Sequence, residues 1–572
     1  MVDEKNKPAD KNKQKKMQEN KQYKSVKQNV KHNSESESES TDALFWADQK
    51  ARDIVERREF KYIKKEIPGF DKFTVKTSAS LSGVLHIGRL SDTIRGDSVH
   101  KALKDYGVDT ELIWVAEDMD PLRKVPKGVP ANYENYLGMP VTDVPDPDGC
   151  HDSYAEHFVS KYFEVIDEFV DTDMKKYSMR EEYKKGNFSV YIKKMLDNVD
   201  TVREILNKYR TNQLSEGWSP WTPICDKCGK IVTCKVKSFD GKKVHYSCED
   251  YEFEKTIAKG CGYIGENDPK KCNGKLMWKS EWAAQWARWG VCTEGAGKEY
   301  QVPNSAFWVN AEIVERVLDY PSPEPIFYEH LLIDNVKMSA SLGNVVYPHN
   351  WLEAATPQLL RYFYNKRLMR TRSFSWKDLS KFYDEYDNAA RVYYGLERIE
   401  NEKEEMQIKK LFMASQLSEI ESPVNINFSH ASLLAQVFTK DSDIVKSLKK
   451  TGHYDEKQHL SIFTRIKKAR AWLEKYAPEE AKFTIQEKVP EITLAENLKS
   501  ALREIPELVE KHHDEQSLFN GFYELIKKNN LTAKEFFGAS YKILLNRDRG
   551  PKLATLLLSV DKDVIEKLFG KL

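Results

Sequence analysis

From Phe45 onward the apolar and polar positions recur with periods that predict the elements of the chain. Trp46, Ile54 and Val55 mark a short helix. Phe73-Thr74-Val75-Lys76-Thr77 reads as a strand, and the small residues from Ser78 to Gly83 as the turn that follows. Leu90, Ile94, Ala102, Leu103 and Tyr106 share one side of a helix from about His86 to Tyr106, which Gly107 stops. Thr110 to Ala116 is a second strand. Strand, helix and strand in succession make a βαβ unit, so the core sheet is expected to be parallel and doubly wound. Residues 151–210 look helical throughout, with Tyr154, Phe158, Phe163, Ile166 and Phe169 at helical spacing. Residues 218–280 change character, to cysteines, glycines and short alternating strands such as Lys243 to Ser247. Beyond Trp376 helical patterns dominate, Leu460–Tyr476 and Leu518–Lys528 among them.

These shifts divide the chain into a Lys-rich tail over 1–42, the first half of an α/β core over 43–217 and a metal-binding insertion over 218–280. The second half of the core follows over 281–376, and an all-α domain over 377–572. A chain of 572 residues is too long for a single core. The tail holds ten lysines between Lys5 and Lys31 and a Ser/Glu run to Ser40. It buries too little apolar surface to offset its ordering entropy, so it is expected to be disordered, either solvated or a salt-sensitive RNA tether. Lys+Arg 90 against Asp+Glu 89 leaves a net charge of +1, which excludes a globally basic coat and confines any polyanion to a local patch. No apolar run approaches the roughly 18 residues of a membrane helix, and the start carries no secretory signal. A soluble, cytoplasmic protein with no membrane partner is expected.

Seven of the eight cysteines lie between Cys150 and Cys272, and in a reducing compartment such clustering reads as metal ligation. Cys225-x2-Cys228 is half a knuckle, and Cys248 and Cys261 can complete a four-thiolate Zn²⁺ site that staples a module too small for its own core. Cys234, His245 and Cys272 are alternates, Cys272 in place of Cys261. A second group is Asp146-x3-Cys150-His151-x5-His157, where the Cys-His pair on a Pro/Gly turn can face one point. By spacing alone it is equally a capped helix start. Cys292 reads as an ordinary buried residue.

Two further segments carry chemistry. Ser82-Gly83-Val84-Leu85-His86-Ile87-Gly88-Arg89 puts a histidine at the opening of a helix behind a parallel strand, where phosphates bind. Lys337-Met338-Ser339-Ala340-Ser341-Leu342-Gly343-Asn344 is a loop with a lysine and two hydroxyls, suited to clamp a triphosphate leaving group. Either alone is also the pattern of a capped helix or a polar surface loop.

Together, His86 to Arg89 and Lys337 to Ser341 resemble the HIGH and KMSKS signatures of class I aminoacyl-tRNA synthetases. Asp118 to Val125, Pro145 to His157 and Arg549-Gly550-Pro551-Lys552 resemble the class I lysyl-tRNA synthetases, a likeness spanning about residues 45–572. The resemblance implies a Rossmann-like catalytic core with a zinc-bearing insertion and a C-terminal all-α anticodon-binding domain. It implies lysine activation by ATP with Mg²⁺ and transfer to tRNA(Lys), with AMP and diphosphate released. It places Ser78, Ser80, Ser82 and Gly83 in the loop beside the substrates, and Trp278 and Tyr328 around the lysine. It also implies a zinc site at Asp146, Cys150, His151 and His157, hence two structural Zn²⁺ in all; a monomer is favoured.

This chain departs from the family pattern at Arg89, often Asn, and at Ala340, usually the catalytic lysine. It also departs at Tyr300, where the family has His, and in the loop from Ser78 to Gly83. A lysine stem wants aromatic walls, for which Trp278, Tyr300 and Tyr328 are candidates. Its ammonium wants a carboxylate, from among Glu281, Glu299, Glu117 and Asp118. Two competing readings remain: a glutamyl-like class I synthetase of other specificity, and a catalytically silent tRNA-binding paralogue.

Overall fold

The computed structural model describes residues 45–81, 85–125, 129–338 and 344–572. The tail over 1–42 lies outside them, as do Ser82, Gly83, Ser339, Ala340 and Ser341. The described chain forms two compact units. One holds the chain up to Leu332 with Lys337–Val345 and Tyr364–Arg372; the other holds Ile333–Val336, Val346–Phe363 and Ser373–Leu572.

The first unit is built on a five-stranded parallel sheet in the order β12-β11-β1-β2-β3. Its strands are β1 (Phe73–Ser80), β2 (Thr110–Glu117), β3 (Met174–Ser178), β11 (Val291–Gly297) and β12 (Glu324–Tyr328). The central strands are buried on both faces, as a covered parallel sheet requires, and Phe73 to Thr77 form a continuous buried run. Buried hydroxyls of the sheet are satisfied across its strands, Thr77 Oγ1 of β1 donating to the Ile113 carbonyl at 3.0 Å and Thr293 Oγ1 of β11 to the Glu324 carbonyl at 2.6 Å. Helix α1 (Trp46–Glu56) packs on α2 (Ile87–Asp105), which connects β1 to β2. Gly96 lets α2 lie close on β1, since a Cβ there would stand 2.5 Å from Thr77 Cγ2.

Two local expectations are corrected. Ser78–Ser80 is not a turn but the end of β1, paired with Val115–Glu117 of β2. The stretch 151–210 is not wholly helical: α3 (Tyr154–Ile166) is followed by β3, an edge strand paired in parallel with β2. Lys175 and Lys176 of β3 are exposed and Met174 alone is fully buried, so the strand carries almost no alternating apolar signal.

Between Trp221 and Leu276 the chain leaves the sheet. β4 (Trp221–Pro223) and β10 (Gly274–Leu276) pair antiparallel and close the excursion at its base. Within it, β5 (Cys234–Phe239), β6 (Val244–Cys248) and β9 (Ile264–Asn267) form an antiparallel sheet, and β7 (Tyr251–Glu252) and β8 (Ile257–Ala258) a short hairpin. Helix α4 (Trp278–Trp289) starts inside the expected insertion, and α5 (Ala306–Leu318) packs against it.

After Phe374 every regular element of the described chain is helical. The observed helices His459–Lys475 and Glu515–Lys528 cover the two expected there. Leu518, Phe522, Phe536, Leu556, Leu557 and Phe569 are buried in the core of this second unit. Arg465, also buried, holds Asp387 with both guanidinium nitrogens at 2.6 and 2.7 Å.

Candidate active site

The carboxyl ends of β1, β2, β11 and β12 open into a cleft of about 810 Å³. Topology puts it there. β1 is flanked by β11 on one side and β2 on the other, and a crevice forms where the strand order reverses.

His86 caps α2, its Nδ1 accepting the Gly88 N–H at 3.1 Å. With Nδ1 an acceptor, the ring proton sits on Nε2. Burial, with Arg89 beside it, lowers the imidazole pKa to about 4, so the ring is neutral at physiological pH. Gly88 has no room for a side chain: a Cβ would lie 2.7 Å from Met338 Cε and 2.8 Å from His86 Cε1. The close approach of Met338 brings the Lys337-Met338 segment onto the start of α2, so the described parts of the two motifs meet in one cleft.

Ser78, Ser80, His86, Gly88, Arg89, Lys337 and Met338 line the cleft, and so do Trp278, Tyr300 and Tyr328. Ile87 does not; it is buried, and its carbonyl accepts from Tyr364 Oη at 2.9 Å. Trp278 stacks on Trp282 with centroids 6.0 Å apart, and Tyr300 meets Trp282 edge-on at 5.5 Å, which makes an aromatic corner.

The acidic residues sort by their partners. Glu281 does not line the cleft. It is buried, paired with Lys275 at 2.9 Å and bonded by Tyr183 Oη at 2.8 Å, so its charge is already met. Asp118 is buried too, accepting the Arg180 N–H at 2.9 Å. Glu117 and Glu299 do reach the cleft. Glu299 bonds His330 at 2.9 Å, while Glu117 accepts Gln285 Nε2 on both oxygens at 3.1 Å. Burial pushes the Glu117 carboxyl up to about 8, with Lys76 opposing and Glu281 and Asp120 adding to the rise.

Three acids of the cleft escaped the sequence reading. Glu294 pairs with the fully buried Lys76 at 2.5 Å and accepts the indole N–H of Trp282 at 2.7 Å and that of Trp286. Asp92 accepts from Tyr328 Oη at 3.2 Å and the Ser78 N–H at 3.3 Å; burial and then Glu294 push it up to about 6. Asp120 accepts from Ser80 Oγ at 2.9 Å. A signal existed for Glu294, an acid inside the short strand Val291–Gly297, which ends Gly295-Ala296-Gly297. At Gly295 a Cβ would fall 2.0 Å from Asp92 Oδ1, so that glycine makes room for the acid.

Two side-chain clusters have the donors and spacing of tetrahedral metal sites, whose ligand–ligand edges run about 3.3–3.8 Å from the usual metal–N and metal–S lengths. Cys225 and Cys261 lie 3.7 Å apart, Cys228 and Cys248 3.6 Å, and all four sulfurs lie within 4.8 Å of one another. That is far beyond the about 2.05 Å of a disulfide. Cys234, His245 and Cys272 stand aside: Cys234 bonds the Lys230 carbonyl, His245 pairs with Asp240 and Glu266, and Cys272 packs in the core near Ser189. Cys292 is buried against the Thr74 carbonyl.

In the second cluster Cys150 Sγ lies 3.2 Å from Asp146 Oδ2, 3.1 Å from His151 Nδ1 and 3.3 Å from His157 Nδ1. The opposite ring nitrogens have outer partners that can hold them, Ser160 Oγ at 2.8 Å from His151 Nε2 and the Asp148 carboxylate at 3.5 Å from His157 Nε2. Such outer contacts orient both Nδ1 atoms inward.

The chain matches the family model described as tRNA synthetases class I (K) over residues 44–418. It is 31% identical over 518 residues to the lysine–tRNA ligase of Methanosphaera stadtmanae, across 87% of this chain and 96% of that protein. Identity to the lysine–tRNA ligase of Pyrococcus horikoshii is 32% over 545 residues, across 92% of this chain and 99% of that protein. For the Thermococcus kodakarensis lysine–tRNA ligase it is 34% over 545 residues, with the same shares. By its motifs, its cleft and these relatives, the chain belongs to the class I tRNA synthetases of the (K) family.

Proposed function

We propose that this protein is a class I lysine–tRNA ligase, which activates lysine with ATP and transfers it to tRNA(Lys). The observation that carries the reading is the convergence of His86, Arg89 and Lys337 on one cleft with the aromatic corner at Trp278, Trp282 and Tyr300.

The lysine carboxylate attacks the α-phosphorus of ATP, and diphosphate leaves with the electron pair of the broken P–O bond. No residue becomes covalently attached, so the rate comes from positioning and from meeting charge as it develops. His86 Nε2–H and the start of α2 donate to phosphate oxygens, with Arg89 and Lys337 as the nearby cations; Arg89 stands in for the lysine that the family carries at position 340. Mg²⁺, brought with ATP, supplies further neutralisation of the phosphates. The lysine stem lies along the aromatic corner. Its ammonium is met by Glu117, which adjoins that corner through Gln285 and whose nearest lysine, Lys76, stands at 3.9 Å, against the 2.9 Å between Lys275 and Glu281. In the second step a terminal ribose hydroxyl of tRNA attacks the adenylate carbonyl carbon, and AMP leaves.

Both clusters are proposed to hold Zn²⁺. Four thiolates at Cys225, Cys228, Cys248 and Cys261, and Asp146, Cys150, His151 and His157, each fill four positions and leave none for substrate, so both metals are structural. Transfer of radiolabelled lysine, and not glutamate, to acid-precipitable tRNA tests the reading. A protein that charges glutamate, or binds tRNA without charging it, would contradict it.

A further inference from the structure

We propose that His430, His453 and Glu515 of the helical unit bind an exchangeable Zn²⁺, which ties together three segments distant in sequence. Each side chain offers one ligand atom, and these atoms lie within 4.8 Å of one another. Two imidazoles and a carboxylate are the donor set of zinc sites with three protein ligands and a fourth position open to water. An ion held this way exchanges with the medium and is lost on dialysis, unlike one enclosed by four protein ligands. The site lies wholly in the second unit and does not rest on the ligase reading.

The backbone of each ligand is fixed by its own turn. Asn427 caps the helix Phe428–Val437, its side chain accepting the His430 N–H at 2.8 Å. After the helix Asp441–Lys450 the chain reverses at Gly452, with φ +74°, and the His453 N–H donates to the Leu448 carbonyl at 2.9 Å. Asp514 caps the helix Glu515–Lys528 by accepting the Ser517 N–H at 2.8 Å, which holds Glu515 in the first turn.

The ring nitrogens are set for ligation. Thr451 Oγ1 donates its one proton toward the Ser447 and Leu448 carbonyls, at 3.1 and 3.4 Å, so it accepts from His453 Nδ1 at 3.0 Å. With the proton on Nδ1, the lone pair of His453 sits on Nε2, and an outer hydrogen bond of this kind orients a metal-binding imidazole. His430 is only 9% exposed, yet among the described residues its ring makes no hydrogen bond, and the Glu515 carboxylate no ion pair. The two rings meet edge-on, with centroids 5.2 Å apart at 89°, close to the 5.4 Å and 86° between His151 and His157. Ring packing alone leaves the His430 nitrogens and the Glu515 carboxylate without partners, whereas one ion satisfies all three side chains. His453 and Glu515 are half-buried, so ion and water reach the open position. Rotation of those two side chains closes the triangle to the edges of about 3.3 Å that a tetrahedral ion requires.

The test uses the full chain, freed of exchangeable ions by dialysis against citrate and titrated with zinc chloride against a metallochromic indicator. The wild type should take up one further zinc per chain. His453→Ala and Glu515→Gln should each weaken that uptake about a hundredfold or more. Thr451→Ala leaves every ligand in place and should weaken it about tenfold, while Thr451→Ser should keep the wild-type affinity. Added Zn²⁺ should also raise the urea midpoint of the wild type and leave that of Glu515→Gln where it was. No further uptake by the wild type would overturn the proposal. So would uptake that His453→Ala and Glu515→Gln both retain at wild-type affinity, since the ion would then be held elsewhere.

Discussion

His86 Nδ1 accepts the N–H of Gly88 at 3.1 Å, so one hydrogen bond caps the helix and fixes the imidazole proton on Nε2. His86→Ala therefore loses a cap and a phosphate donor together. The expected costs are about 1 kcal/mol of stability and about a hundredfold in the rate of adenylate formation. The pH dependence has a definite sign. The unfolded ring binds a proton near 6.5 and the folded ring only near 4, so stability is full above 6.5 and falls as pH drops toward 4. Urea unfolding at pH 7 and pH 4.5 should show a smaller pH loss in His86→Ala than in the wild type. An equal loss would place the titration elsewhere.

Glu117 offers a second proton-linked test. Its carboxyl, pushed up to about 8, holds its proton at pH 7, whereas an ammonium against it favours the carboxylate. Lysine binding should then release close to one proton at pH 7. Calorimetric titrations in buffers of different ionisation enthalpy read that number directly. Glu117→Gln should abolish the release and weaken lysine binding; a buffer-independent enthalpy in the wild type would exclude Glu117 as the partner.

Beneath the cleft, Lys76 is fully buried and Glu294 is its close counter-charge at 2.5 Å. Glu294→Ala leaves a buried ammonium with only Glu117, at 3.9 Å, and orphans two indole N–H groups. Breaking such a pair costs about 3–5 kcal/mol, read as a lower urea midpoint at unchanged slope. A loss under about 1 kcal/mol would mean that water reaches the site.

The two candidate metal clusters make a stoichiometric prediction. Metal analysis of the purified protein should give two zinc ions per chain. Cys228→Ser and His157→Ala should each remove one, and a chelator should destabilise the wild type more than either variant. One zinc in the wild type would remove one of the sites.

Legibility in the sequence followed how local each feature is. The two candidate metal clusters and the His86-to-Arg89 segment draw their residues from neighbouring stretches; spacing favours the four cysteines with Cys234, His245 and Cys272 as alternates, whereas Asp146, Cys150, His151 and His157 stand out only with the family resemblance. β1, α2 and β2 were legible because the sheet is buried on both faces and its strands read as apolar runs. β3 was hidden because an edge strand needs little apolar surface, and Lys175 and Lys176 face solvent. The choice among carboxylates was not legible at all. Glu281 is neutralised by Lys275 of β10, a residue delivered by the closing pair of the insertion, and Asp92 depends on the space left at Gly295. Such pairings are set by the tertiary fold.

The most direct measurement of the central claim is ATP–pyrophosphate exchange, run with each of the twenty amino acids in the presence of tRNA. Lysine alone should support exchange, and Arg89→Ala should reduce it by about a hundredfold as a phosphate-facing cation is lost. Exchange with glutamate in place of lysine, or with no amino acid at all, would contradict the assignment.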